Sequence, residues 1–146
     1  MDPTTTVDLG TLPLALGYLL RRAQVAVFAD FITSLEEVGL RPGQFSALLV
    51  IAGNPGLSQR ELCAALSIQE ANFVPMMNGL VRRRLALRRP SAADHRRHAL
   101  HLTARGATLL RRAQALQRSH EARLTARLGA TGRATLTRLL RELQNL

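Results

Sequence analysis

The spacing of apolar residues changes twice along this chain, and those changes constrain the fold more than any other feature. From Leu12 to Leu80 apolar residues recur three or four apart, the period of helices that bury one face. After Arg84 they alternate, in "LALRRP" and "HALHLT" on either side of the turn-forming "PSAAD". That is the pattern of a two-stranded hairpin. From Thr103 the helical period returns. The spacing predicts a mainly α chain with one small β-hairpin.

Finer signals divide the helical parts. Met1–Leu9 is polar and reads as a frayed start. Leu16, Leu20, Ala23, Val27, Phe31 and Leu35 form one face of a long helix that begins near Leu12. Pro13 is tolerable only in its first turn, and Gly39 ends it. Pro42 opens a second helix with Phe45, Leu48, Leu49 and Ala52 inside, closed by "GNPG". In "LSQREL", Ser58 and Glu61 make an S-x-x-E capping box, with Leu57 and Leu62 as its hydrophobic staple. The helix it starts is short, because "LSIQEA" reads as a turn. The next helix buries Phe73, Met77 and Leu80, and two short helices joined by a tight turn are the helix-turn-helix layout. Thr103 caps a long helix with the stripe Leu109, Ala113, Leu116, His120 and Leu124. Gly129 breaks it, and Thr131 starts a last helix carrying Leu136, Leu139, Leu140, Leu143 and Leu146. The first and last helices are more apolar than a small winged core can cover, so they are expected to pack on each other and on a second subunit.

Length and composition set further bounds. The chain has 146 residues, 47% of them hydrophobic, which suits one domain with a real core. No apolar run approaches a membrane span, and none follows a basic start. The expectation is a soluble cytoplasmic, nucleoid-associated protein without membrane contact. A single cysteine, Cys63, excludes an internal disulfide framework and a multi-cysteine zinc site. Flanked by Leu62, Ala64 and Ala65, it reads as a buried small hydrophobe rather than a redox sensor.

The net charge of +10 is unevenly spread. Residues 1–81 hold 4 Arg against 7 acids, net −3. Residues 82–127 hold 13 Arg against 2 acids, net +11, and the remainder is +2. Seven arginines fall between 82 and 97, around the hairpin and beside the helix-turn-helix. Basic clustering in that place is the footprint of a polyanion-binding surface. The later arginines read equally well as a solvated helix face.

Candidate contacts follow from this layout. Arg88, Arg89, Arg96 and Arg97 flank the hairpin turn and suit a minor groove, with Asp94 pinning Arg96 through a bidentate pair. On the helix after the tight turn, the expected recognition helix, Gln69, Asn72, Pro75 and Met76 are placed outward. Asn72 and Gln69 have the geometry for adenine, and Pro75 and Met76 suit a thymine methyl. Ser58 and Gln59 at the start of the short helix complete the set. Pro75 removes the amide that would bond the Ala71 carbonyl, so a kink or irregular first turns are expected there. His95, His98 and His101 are spaced for a helical metal site, but on a strand His98 and His101 fall on opposite faces. They read as solvated or phosphate-adjacent, and no metal or other cofactor is expected. His120 reads as a core or interface histidine with a satisfied partner. No nucleophile–base motif, phosphate loop or H-E-x-x-H is present, so the chain is not read as an enzyme.

The order of elements resembles the MarR (multiple antibiotic resistance regulator) family of winged helix-turn-helix regulators. The resemblance spans roughly residues 12–146. It is best in "LRPGQFSALLVIAGNPGLSQRELCAALSI" and "RRPSAADHRRHALHLTARG", the latter with a D-x-R wing element at Asp94 and Arg96 and "LT-x-x-G" at Leu102, Thr103 and Gly106. It implies dimerisation helices over 12–38 and 104–146 flanking a winged helix-turn-helix over 42–103. It also implies a homodimer on palindromic double-stranded DNA, acting as a repressor that a small-molecule effector releases. The sequence departs from the family at Ala71, Asn72 and Pro75, where serine or threonine and a basic residue are frequent, and at Arg84, where glycine is usual. An alternative stays open: a helical interaction dimer that keeps the fold and turns its arginines to an acidic protein partner.

Overall fold

The computed structural model describes residues 7–145. The frayed start over residues 1–6, and the place of Leu146 in the last stripe, lie outside the described residues. In chain order come a 3-10 turn (Leu12–Leu14), α1 (Leu16–Leu35), a second 3-10 turn (Glu36–Val38), α2 (Pro42–Gly53), α3 (Gln59–Leu66), α4 (Glu70–Arg82), β1 (Ala86–Pro90), β2 (His98–Leu102) and α5 (Ala104–Leu143). The chain is mainly helical with one antiparallel hairpin, as the apolar periods predict.

Each boundary has a local cause. Gly39 takes the left-handed conformation (φ 60°) that closes the turn after α1. Pro42 stands in the first turn of α2. Both halves of the capping box form at α3: the Ser58 hydroxyl accepts from the Glu61 amide (3.2 Å), and the Glu61 carboxylate accepts from the Ser58 amide (2.7 Å). Leu62 is fully buried over a half-buried Leu57, so the staple is in place. Gly129 (φ 72°, ψ 160°) divides α5 into segments 104–128 and 130–143.

Two expectations are corrected. The first helix begins at Leu16, not near Leu12, because Ala15 is extended (φ −75°, ψ 126°) and Pro13 sits in a separate 3-10 turn. No residue of that turn is buried, so no packing energy holds it in line with α1. The second concerns Pro75: α4 runs as one helix from Glu70 to Arg82 with Pro75 inside it, without irregular first turns. Ala71 and Pro75 are both exposed, so the Ala71 carbonyl that Pro75 cannot serve is on the solvent side of α4 rather than in the core.

The core lies in the middle of the chain. Phe45, Leu48 and Ile51 of α2, Leu62 of α3, and Phe73, Met77 and Leu80 of α4 meet Leu85 and Leu100 of the wing, all almost without exposure. α1 contributes one buried residue, Leu35, and α5 contributes Gly106, Leu110, Ala113 and His120. The first turns of α1 and the whole of 130–143 bury nothing within the chain. Leu16 and Leu19 on one, and Leu136, Leu139 and Leu140 on the other, remain exposed, as does Phe28 further along α1.

The hairpin pairs Ala86 with Leu102 and Pro90 with His98. A third strand-like segment joins it: the Gly56 amide donates to the Leu100 carbonyl (2.8 Å), the Leu100 amide to the Leu57 carbonyl (2.9 Å), and Ser58 bridges Ala99. The wing is thus sewn to the turn before α3. At its other end, the Thr103 hydroxyl donates to the Arg84 carbonyl (2.6 Å) and accepts from the Gly106 amide (2.9 Å). A Cβ on Gly106 would stand 1.8 Å from the Leu85 carbonyl oxygen, so α5 starts against bare backbone.

Candidate nucleic-acid interface

The exposed side of α4 and the hairpin tip form a surface free of large buried groups. Gln69 caps α4 through its extended backbone, and its side chain makes no capping bond. Gln69, Asn72, Val74 and Pro75 are exposed, as is Asn78 one turn further on. Met76 is not fully outward: it is half-buried and packs on the core next to Gly43 of α2. Glu70, in the first turn of α4, lies where a carboxylate offsets the positive helix terminus.

The arginines of the wing divide by what they touch. Arg88 donates to the Asn78 side-chain oxygen (2.9 Å), tying β1 to α4. Arg89 is exposed. The expected pair between Asp94 and the Arg96 guanidinium does not form. Asp94 Oδ1 accepts the Arg96 backbone amide (3.0 Å), while Oδ2 lies 3.5 Å from Nε of Arg97. The tight turn is the reason: the carboxylate folds back onto its own loop, where it meets the Arg96 amide and the Arg97 guanidinium, and the Arg96 side chain stays exposed. Ser58 spends its hydroxyl on the cap, also donating to Glu61 Oε2 (2.8 Å). Gln59, the first residue of α3, is half-buried. Hydrogen bonds from the Ser58 amide and then its hydroxyl hold the Glu61 carboxyl below the ordinary glutamate range, with a further contribution from the Arg97 charge.

The histidines separate. His95 is in the turn, and His98 and His101 pair with Pro90 and Leu87 at opposite ends of β2. Cys63 is buried, and burial, then the Glu70 charge, pushes its thiol above the ordinary value. A thiol so placed stays protonated and unreactive.

His120 is the buried histidine with a satisfied partner that the sequence predicts, and the partners, which the sequence does not name, make a polar bridge from α1 to α5. His120, 3% exposed, stacks on Phe31 with Nδ1 2.5 Å from Asp30 Oδ2. Arg123 donates to the same oxygen (2.8 Å) and to the Ser34 hydroxyl (2.6 Å). The Arg123 bond, then the His120 bond, lowers the Asp30 pKa. The sequence holds half of the signal: Asp30 and Ser34 share one helix face, and His120 and Arg123 share another. Which two faces meet is a tertiary fact. Arg83 was missed in the same way: it donates to the Gly39 carbonyl (2.7 Å) and so locks the end of α4 to the end of α1.

Comparison with known proteins agrees with this geometry. Residues 38–97 match the model described as "MarR family". The chain is 38% identical over 137 residues to the putative transcriptional regulatory protein for the hcr operon of Thauera aromatica, covering 92% of this chain and 81% of that protein. Among solved structures, the transcriptional repressor CouR bound to a 23-mer DNA duplex superposes with a TM-score of 0.89 at 41% identity, covering 96% of this chain and 99% of that one. CouR bound to p-coumaroyl-CoA gives 0.88 at 40% identity, covering 94% and 97%. The fold thus coincides with that of these relatives across nearly the full length, and the chain belongs to the MarR family of transcriptional regulators.

Proposed function

We propose that this chain, as a cytoplasmic homodimer, represses transcription from a palindromic operator and releases it on binding an aromatic acyl-CoA thioester. The observation that carries the DNA reading is the adjacency of an unencumbered α4 face and an arginine-bearing wing. Two copies of α4 enter successive major grooves about 34 Å apart, with the wings in the flanking minor grooves. Gln69 and Asn72 read base edges, and Pro75 and Val74 press on methyl groups. Arg89 and Arg96 meet the backbone or the minor-groove floor, and Arg97, paired with Asp94, shapes the wing tip that presents them. Ser58 contributes by holding α3, and Gln59 lies at the helix end that approaches phosphate. The exposed apolar faces of α1 and of segment 130–143 form the dimer interface.

The effector class rests on the likeness to CouR and on one cleft. Between the end of α1, the start of the wing and α5 lies a cavity of about 570 Å³. Val38, Leu85 and Leu109 line it together with Arg83, Arg105 and Arg112 and with Glu37, whose carboxylate lies 3.5 Å from Arg112. Apolar surface beside three guanidiniums suits an aromatic acyl group attached to a polyphosphate.

The test is a gel-shift titration with duplex from upstream of the chain's own gene. Binding should weaken by about 0.9 log unit per log unit of salt for each phosphate contacted. Arg96→Ala should lower that slope by about one phosphate, whereas Arg118→Ala on the outer face of α5 should leave it unchanged. Equal losses would refute the wing assignment. p-Coumaroyl-CoA should dissociate the complex while p-coumarate and CoA alone do not, and a complex indifferent to the thioester would overturn the effector reading. A failure to bind any duplex at low salt would favour an acidic protein partner.

A further inference from the structure

α5 turns a corner at Gly129, and one arginine closes it. Arg133, four residues past the corner, donates to the Glu121 backbone carbonyl (3.2 Å), to Glu121 Oε2 (2.6 Å) and to the Thr125 hydroxyl (2.5 Å). In an unbroken helix residues 121 and 133 would stand about 18 Å apart along the axis, beyond the reach of one side chain to a backbone carbonyl. These three bonds therefore exist only while the corner is bent. Thr125 also donates to the Glu121 carbonyl (2.9 Å), so the acceptors form one connected group on the segment before the corner.

Gly129 itself has open space where a Cβ would stand, so close packing does not require a glycine there. Its dihedral angles do, since φ 72° with ψ 160° lies in a region that residues with a side chain essentially never occupy. The corner thus has a permissive backbone that sets no angle by its own sterics, and a three-bond clasp that does. On one side of it lies the segment carrying His120 and Arg123, joined to α1 and the winged core. On the other lies the segment carrying exposed Leu136, Leu139 and Leu140.

We propose that the clasp of Arg133 on Glu121 and Thr125 fixes the angle between the dimerisation arm and the DNA-binding body, and thereby sets the half-site spacing the dimer accepts. Arg133 is a positioning residue: it touches no DNA and acts through the direction of the arm. This rests on the reading of the chain as a dimeric DNA-binding regulator. A small change of angle at the corner swings α4 of each subunit through a large arc. Each base pair added between half-sites moves one of them by about 3.4 Å and turns it by about 35°, so the dimer is sensitive to that arc.

The first experiment needs no DNA. A spin label at the exposed wing tip, Ala92→Cys in a Cys63→Ala background, reports the distance between the two wings of the free dimer by pulsed electron resonance. Arg133→Met should at least double the width of the distance distribution, and Arg133→Lys, which keeps the charge but not the fork, should give an intermediate width. Sedimentation should show a dimer in each case. The second experiment uses the duplex that the unmodified chain selects from a randomised pool, rebuilt with its central spacer changed by one or two base pairs. The unmodified chain should lose at least tenfold in affinity for each step. Arg133→Met should bind the original spacing about tenfold more weakly and discriminate between spacings by less than threefold. An unchanged distance distribution, or an unchanged spacing preference with uniformly lower affinity, would overturn the proposal. So would loss of the dimer itself, which would assign the clasp to assembly. If no duplex is selected while the wing distances broaden, the regulatory reading fails and the clasp stands.

Discussion

Arg84 holds a left-handed backbone (φ 56°) at the junction of α4 and the wing, where a side chain with a Cβ costs about 1–2 kcal/mol. Its carbonyl accepts from Thr103, which keeps the conformation in place. Arg84→Gly should raise stability to urea by about 0.5–1 kcal/mol, the relief of strain less the added freedom of the unfolded chain. A lower urea midpoint would show that the arginine side chain, not the backbone, matters there. Gly106 is the opposite case. Gly106→Ala should cost on the order of 3 kcal/mol or more in the same measurement, because no rotamer relieves a clash between a Cβ and the Leu85 backbone. The "LT-x-x-G" pattern made Thr103 legible as a cap. It did not reveal why the last position must be glycine, since the obstructing carbonyl belongs to a residue 21 positions earlier.

At the scale of elements, local signals were read well wherever the chain decides its own course. The capping box, the staple, Gly39, Pro42 and Gly129 each act within a few residues. They stand where the spacing predicts. Pro75 is the instructive case: the sequence predicts a kink or irregular first turns there, and α4 runs through it as one helix with regular first turns. The apolar stripe of Phe73, Met77 and Leu80 holds the helix against the core on its inner side, while the single lost bond faces water. Pro75→Ala should therefore stabilise the protein by about 1–3 kcal/mol in urea unfolding by restoring that bond. A neutral result would mean that solvation already makes good the loss. The wing shows a different limit. Alternation revealed β1 and β2, but not the pairing of Gly56–Ser58 with β2, since three residues in a turn carry no periodicity.

At the scale of the whole molecule, a polar bridge joins two elements distant in sequence. Asp30 with His120 and Arg123 ties α1 to the first segment of α5, and the pH dependence of this bridge can be assigned a sign. The Asp30 pKa is lowered in the folded state, so its contribution is full above the ordinary value of 3.8 and is lost as pH falls through the lower folded value. In thermal unfolding the native chain should exceed Asp30→Asn at pH 7, and the gap should close on acidification below about that value. A gap that persists in acid would show that the bridge acts by packing rather than by charge. The segregation of 13 arginines into residues 82–127 is equally a property of the whole, since it places the cationic surface on the wing and the start of the long helix. The charge was legible by counting. Its division into Arg88 tied to Asn78, Arg97 tied to Asp94, and Arg89 and Arg96 left outward was not.

Sequence alone was sufficient for the class of fold, the order of elements, most of their boundaries and the location of the basic surface. All of these depend on residues near one another in the chain, through period, caps and charge density. Tertiary structure alone decided which arginines are available, that α4 survives its proline, and that His120 meets Asp30. It alone also bent Arg133 back to Glu121. Each of those outcomes turns on which distant face, or which carbonyl across a corner, comes within about 3 Å, the range of a hydrogen bond.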